Sequence, residues 1–418
     1  FINLGVNLIF TVDCGTLSYG PMEYAKKNNI DVIILDHHQS ETKLPSAHSI
    51  VNPNRFDDRS DLNYLCAAGV CFMFLIALNK RLRDMNWFSD NSIKEPKLME
   101  VLDLVSLGTI CDVVPLIGLN RAIVHQGLKI IKRKKNLGLK TLIEVSNISS
   151  NITSYHLGYV LGPRINAGGR VGKSTHGANL LLNQNPKDTF KLAVDLNTYN
   201  KERQILESEL LKKILNTKYE NTSDPVIILH GENWHEGIIG IIAARIKEKY
   251  NKPAIIISIN KGVGKGSGRS IHGFDLGSTV IGGVQSGILA KGGGHKMAAG
   301  FTIDANKIDE FKEFVFKKFK SININLEEKK NYYFDAEIAP SAINIDFFEK
   351  INLLAPFGAG NPEPRFVIRD VKLVNSKIVG EKHIKNVLVG SDSSTLKTIS
   401  FNTVETELGS YLLKKNIK

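Results

Sequence analysis

The first hundred residues place short apolar runs on either side of a polar, helix-like segment. Leu8–Asp13 (LIFTVD) is an apolar run that ends in a carboxylate, and Ile30–Asp36 (IDVIILD) is another. Met22–Asn29 between them has helical character and stops at an Asn pair. Strand, helix, strand with apolar strands predicts a parallel sheet covered by helices. Ligands of such sheets bind beyond the carboxyl ends of the strands, where Asp13 and Asp36 fall. Ala67–Arg83 and Leu98–Cys111 predict helices, and Pro186–Tyr219 a long polar helix or helix pair connecting two domains. A second α/β pattern follows Asp224-Pro225: strand Val226–His230, helix His235–Tyr250, strand Ala254–Ile259. The glycine-rich stretches Gly262–Gly268 and Gly292–Gly300 read as loops, and Lys318–Lys330 as a linker. From Tyr332 onward, short alternating segments with turn signals predict a β-barrel or sandwich.

Composition narrows the class. Of 418 residues, 42% are hydrophobic and 23% charged, which excludes wholesale disorder and a collagen-like rod. The longest uncharged apolar run, Ala67–Leu78, is twelve residues, short of the ~20 that span a bilayer. The four cysteines form no CxxC pair, so no zinc knuckle is expected and a reducing, cytoplasmic compartment is. The chain begins at Phe1 with no signal-peptide pattern and reads as the middle of a domain, so an N-terminal part is expected to be missing. Net charge is +12, unevenly spread: Phe1–Asp112 carries −4 and the remainder +16. An acidic piece joined to a basic remainder suits metal cations in one place and a polyanion across the other.

Asp36-His37-His38 at a strand end, with Asp13 at the preceding strand end, offers carboxylate and imidazole ligands suited to Mg²⁺, Mn²⁺ or Zn²⁺. Asp112, in SLGTICDVVPL, is a third candidate where a helix would end among apolar neighbours. A lone His-His after a strand is ordinarily a satisfied turn; three sites in matching contexts favour a metal. Gly168–Ser174 fails as a P-loop because position 167 is Ala167, and His235-Glu236 fails as a zincin because Ile239 stands where the second His belongs. Gly262–Arg269 reads instead as an anion cradle: glycines admit phosphate to backbone N–H groups, and Ser267 and Arg269 add a hydroxyl and a bidentate fork. His295 in GGGHKMAAG marks a second such loop, and Arg164, Asn166 and Arg170 in GPRINAGGR a third polar cluster in a permissive loop.

Together these motifs resemble the DHH phosphoesterase superfamily and, within it, the bacterial RecJ exonucleases. TVDCGT, DHHQ and SLGTICDVVPL are similar to the second, third and fourth metal-site motifs. GPRINAGGR is similar to the fifth, WHEGIIGIIAARI, GKGSGRS and GGGHKMAAGF to the DHHA1 domain, and LLAPFGAGNPEPRF to the approach to an oligonucleotide-binding barrel. The resemblance implies a partial parallel-sheet DHH domain at 1–185, a connecting helix at 186–222, an α/β DHHA1 domain at 223–322 and an incomplete oligonucleotide-binding β-barrel at 330–418. It implies a two-metal (Mn²⁺ or Mg²⁺) 5′→3′ exonuclease on single-stranded DNA, active in repair and recombination and not bound to membranes. Asp13, His37 and Asp112 would be metal ligands, His38 would lie beside the scissile phosphate and Asp36 would support the site. Ser267 and Arg269 would hold the 5′ phosphate, and Arg164 and Arg170 would contact the strand. The family's first Asp-x-Asp motif is absent, which implies weak or single-position metal binding and an inactive fragment. The rivals are a DHH phosphodiesterase of short oligonucleotides or cyclic dinucleotides and a non-catalytic DNA-binding homologue.

Overall fold

The computed structural model describes residues 1–216, 224–322 and 332–414. The chain forms two compact units, one of Phe1–Arg133, Ile152–Gly158 and Asn331–Lys418, the other of Lys134–Asn151 and Tyr159–Lys330. Among the described residues no helix is long and apolar enough to cross a membrane.

The first unit begins with β1 (Leu8–Val12), α1 (Tyr19–Lys27), β2 (Asp31–Leu35) and β3 (Ser49–Val51). The strands form a parallel sheet in the order β1-β2-β3, with Leu8 opposite Asp31 and Ile33 opposite Ser49. In the central strand, Val32, Ile34 and Leu35 are buried. β1 is an edge strand with Leu8, Phe10 and Val12 exposed, so coverage on both faces holds for β2 but not for β1. α2 (Ala67–Asp84), α3 (Trp87–Asp90), α4 (Leu102–Cys111) and α5 (Gly118–Ile131) follow. α4 is apolar almost all round, as a buried helix should be. Its Leu102 and Val105 pack with Phe72 of α2 and with Ile123 and Ile130 of α5.

The second unit opens with α6 (Leu137–Val145), then α7 (Gly162–Val171), α8 (His176–Leu182) and α9 (Pro186–Asn216). β4 (Ile227–Glu232), α10 (Glu236–Tyr250), β5 (Ala254–Asn260), β6 (Val263–Arg269), α11 (Leu276–Gln285), β7 (Lys291–His295), β8 (Ala298–Asp304) and α12 (Ile308–Lys320) complete it. The five strands lie in the order β4-β5-β6-β8-β7, parallel between β4 and β5 and antiparallel elsewhere. The period of two along β5 divides its side chains between two cores. Ile255 and Ile257 join α11 and α12 through Leu276, Val280, Phe311 and Val315. Ala254 and Ile256 join α9 and α10 through Leu210, Ile214, Ile238 and Ile242.

Three expectations are corrected here. The two glycine-rich stretches are not loops: Gly262–Gly268 is mostly β6, and Gly292–Gly300 is the β7–β8 hairpin. In β6 the glycines do not open the backbone to an anion. Gly264, Gly266 and Gly268 are buried under the core; a Cβ on Gly266 would lie 2.1 Å from the Phe301 ring, and one on Gly268 2.6 Å from Leu276. GPRINAGGR is helix α7, begun with a proline in its first turn, where the missing N–H costs nothing. α12 runs on through Lys318–Lys320 because Phe311, Val315 and Phe319 bury one face, so the expected linker does not begin at Lys318; residues 323–331 lie outside those described. α9 packs within the second unit through Leu196, Leu210 and Ile214, and residues 217–223 are likewise outside the described set.

The rest of the first unit holds β9 (Ala336–Glu337), α13 (Ile345–Asn352), β10 (Phe366–Val367), β11 (Lys372–Val379), β12 (His383–Val389), β13 (Thr395–Ser400) and α14 (Glu407–Leu412). β11, β12 and β13 form an antiparallel meander with Lys385 between Lys377 and Ile399, and β9 and β10 pair in parallel. Among the described residues these strands make two separate sheets.

Candidate functional site

Asp13 follows β1 directly, with a left-handed φ of 61° and its N–H donated to Leu35 O at 3.0 Å. Asp36 follows β2 and is 1% exposed. Its carboxylate does not face outward. Oδ2 accepts Thr16 N–H at 3.0 Å, and Oδ1 accepts the N–H groups of His37 and His38 at 2.8 and 3.2 Å and His38 Nδ1 at 2.7 Å. An ionised carboxylate can only accept, so His38 Nδ1 carries the proton and Nε2 is left as the basic atom. Burial alone would raise the Asp36 pKa, but the hydrogen bonds from Thr16 and His38 outweigh it and hold the carboxyl well below the usual range.

His37 is the hub. Its Nε2 lies 3.2 Å from Asp13 Oδ1 and 3.6 Å from Asp112 Oδ2. Ligand atoms of Asp13, His37 and His38 all fall within 4.8 Å of one another. Asp112 caps the C-terminus of α4, and the next residue, Val113, turns the chain with a φ of 60°. That conformation is costly for a β-branched residue, and Val113 holds it while 70% exposed. Three residues on, Leu116 N–H donates to Ala359 O of the PFGAGNP segment at 2.6 Å, and Arg121 Nη2 donates to Leu354 O, two residues before that segment, at 2.7 Å. Burial raises the Asp112 pKa and the Asp13 charge adds to it, while His37 opposes. Two carboxylates and an imidazole with unbalanced negative charge suit a hard divalent cation.

Sequence reasoning missed the frame behind these residues. Asn52 Nδ2 donates to Thr16 Oγ1 at 2.9 Å and to His38 O at 2.8 Å, and Asn54 Nδ2 donates to His37 O at 2.6 Å. The signal was Asn52-Pro53-Asn54 directly after a strand, since short amides there tie loops together. Asp36→Asn should cost about 2 kcal/mol or more at pH 7, because an amide NH₂ would oppose the donors that now point at Oδ1 or Oδ2. A depressed carboxyl pKa stabilises the fold above the unfolded value of ~3.9 and is lost as pH falls through the folded value. Urea unfolding at pH 7 and pH 3 should therefore give a smaller difference for Asp36→Asn than for wild type.

The second unit holds a cleft of about 440 Å³ lined by Asn166, Gly169, Arg170, Glu236, Gly237, Gly240, Ser267 and Arg269. The alternation of β6 puts Ser267 and Arg269 on the face opposite its buried glycines. Arg269 Nη1 donates to Gly268 O at 2.9 Å, and Arg170 Nη1 to Gly237 O at 3.0 Å. Burial depresses both guanidinium pKa values, and for Arg269 the neighbouring Arg170 charge adds to it. Arg164 is elsewhere: its Nε donates to Asn197 Oδ1 at 3.0 Å and its Nη1 to Val160 O at 2.7 Å, and it does not line the cleft. His295 ends β7 and does not line it either.

The close-approach glycines are on α10: the sequence predicts that helix and marks WHEGIIGIIAARI, but does not single out Gly237 and Gly240. A Cβ on Gly240 would lie 2.8 Å from Ser267 Oγ and 3.2 Å from Arg269 Nη2, and one on Gly237 2.4 Å from Arg170 O. Gly237 and Gly240, three apart on the first turns of a helix, were the available signal. Gly237→Ala should lower stability by roughly 1–3 kcal/mol, since a backbone carbonyl cannot swing away as a side chain does. Thermal melting checks this; an unchanged midpoint would contradict the contact.

Comparison with known proteins places the chain. It matches the DHH family, N-terminal domain, over residues 4–109, the DHHA1 domain over 223–321 and the RecJ OB domain over 334–417. It is 35% identical over 392 residues to the single-stranded-DNA-specific exonuclease RecJ of Dickeya dadantii, covering 91% of this chain and 68% of that protein. The chain belongs to the RecJ family. The Escherichia coli RecJ exonuclease is 35% identical over 419 residues, 97% of this chain and 72% of the relative. The crystal structure of RecJ in complex with Mn²⁺ from Thermus thermophilus superposes with a TM-score of 0.79 at 29% identity. It covers 95% of this chain, which spans 56% of that longer one. The β11–β13 meander thus lies in the RecJ OB segment, Asp13 and the Asp36-His37-His38 run in the DHH segment, and Ser267 and Arg269 in the DHHA1 segment.

Proposed function

We propose that this chain carries the catalytic and end-binding parts of a divalent-metal-dependent 5′→3′ exonuclease that degrades single-stranded DNA in repair and recombination. The observation that carries the reading is His37 Nε2 facing the carboxylates of Asp13 and Asp112 at one end of a parallel sheet. Asp13, His37 and Asp112 are assigned as ligands of Mn²⁺ or Mg²⁺. When bound, the metal would neutralise charge developing on the phosphodiester oxygens. Asp36 fixes the His38 tautomer, and His38 is placed to take up or release a proton at Nε2 beside the scissile phosphate. Arg170, Ser267 and Arg269 are assigned to the 5′ phosphate, with Asn166 as an added donor. Arg164, spent on Asn197 and Val160, is assigned a positioning role for α7, and His295 a peripheral contact to the strand.

The chain is read as a DHH domain at 1–185, a connecting helix at 186–222, a DHHA1 domain at 223–322 and an oligonucleotide-binding domain at 330–418. Free cysteines at positions 14, 66, 71 and 111 accord with a cytoplasmic setting. Incubation of the full-length protein with Mn²⁺ and single-stranded DNA labelled at either end tests the reading. Early release of a labelled mononucleotide from 5′-labelled strand, abolished by chelator, is expected. Release from 3′-labelled strand first, or cleavage confined to dinucleotides, would overturn it; binding without any cleavage would favour a non-catalytic homologue.

A further inference from the structure

We infer that Glu236 restricts the second-unit cleft to strand ends that carry a single phosphate. The inference rests on the reading of this cleft as the 5′-phosphate site. Among the lining residues the charged groups are Arg170, Arg269 and Glu236. Two guanidiniums and one carboxylate leave one net positive charge. The N-terminus of α10, which begins at Glu236, adds roughly half a charge more. The sum approximates the charge of one phosphate monoester, about −1.5 to −2 at pH 7. A 5′-triphosphate end brings two further anionic groups with nothing left to balance them.

Volume does not make this distinction. At about 440 Å³ the cleft holds roughly fifteen times the ~30 Å³ of a water, so a chain of three phosphates is not excluded by size. Electrostatics is left to discriminate. Glu236 is well placed for it, at the start of α10 one residue before Gly237, whose carbonyl accepts from Arg170 Nη1 at 3.0 Å. A carboxylate in a first helical turn also stabilises the helix dipole. If that were its whole role, removing the charge would lower the melting temperature slightly and leave end preference unchanged.

The test uses the whole chain in chelator, so that no strand is cut, with oligonucleotides of one sequence ending in 5′-hydroxyl, 5′-monophosphate or 5′-triphosphate. Wild type is expected to bind the monophosphate about tenfold tighter than the triphosphate at low salt, with the gap narrowing as salt rises. Glu236→Gln should close or invert that gap, Glu236→Asp should keep it, and Glu313→Gln, an equal charge change on α12, should leave it as in wild type. Glu236→Ser gives the same reading should the Gln variant not fold. A wild type indifferent to the number of phosphates, or a ratio unmoved by Glu236→Gln, overturns the inference alone. A wild type that binds hydroxyl and monophosphate ends equally overturns the 5′-phosphate reading on which it stands.

Discussion

In the full-length protein, Asp112→Ala should reduce Mn²⁺-dependent hydrolysis by at least about 10²-fold, the loss of several kcal/mol of charge stabilisation, while single-stranded DNA affinity changes by less than about threefold. Asp112 stands 3.6 Å from His37 in the first unit, whereas the arginine-lined cleft belongs to the second. On the proposed assignments, metal chemistry and strand retention therefore draw on different side chains. Asp112 is also a helix C-cap followed by a strained Val113, so its carboxylate is held by backbone geometry that the substitution leaves in place. Titration of Mn²⁺ by electron paramagnetic resonance should show weaker binding in the variant. Equal losses of cleavage and DNA binding would contradict the division.

Arg269→Ala should weaken binding of 5′-phosphorylated strands by about 10- to 150-fold, the equivalent of roughly 1.5–3 kcal/mol for a hydrogen bond to a charged group. Strands with a 5′ hydroxyl should lose far less. The guanidinium is half-buried beside Ser267 and close against α10, so it offers a fixed fork where a lysine would offer a mobile point charge. Titrating both strand types at one salt concentration separates end recognition from general attraction to phosphate, and the same loss on both would refute the assignment.

The residues proposed as metal ligands were legible as a cluster because they obey local rules. An apolar run that stops at a carboxylate announces the end of a parallel strand, which located Asp13 and the Asp36-His37-His38 run. Asp112 was legible from an apolar helix that stops short of Pro115. The arginine-lined cleft was legible only in part. The structure brings Arg170, Ser267 and Arg269 to one cleft, but the glycines beside two of them, which by propensity mark loops, stand in a strand because the tertiary fold overrides that propensity. Gly264, Gly266 and Gly268 are flat because Ile303, Phe301 and Leu276 lie over them, a fact set by residues up to about forty positions away. The binding of Arg164 to Asn197 and the role of Gly237 and Gly240 likewise depend on contacts between α7, α9, α10 and β6 that no local pattern encodes.

β6 has two faces with different freedom to change. Behind it, each added methyl group must displace an aromatic ring or a branched side chain; in front, Lys265, Ser267 and Arg269 are only partly buried. If Ser267 and Arg269 hold the proposed phosphate, selection acting on this strand can retune that contact without disturbing the core, and can scarcely alter the core without distorting the opposite face. A saturation library over residues 263–269 should therefore yield changed end preferences from the odd-numbered positions and mostly unfolded protein from 264, 266 and 268.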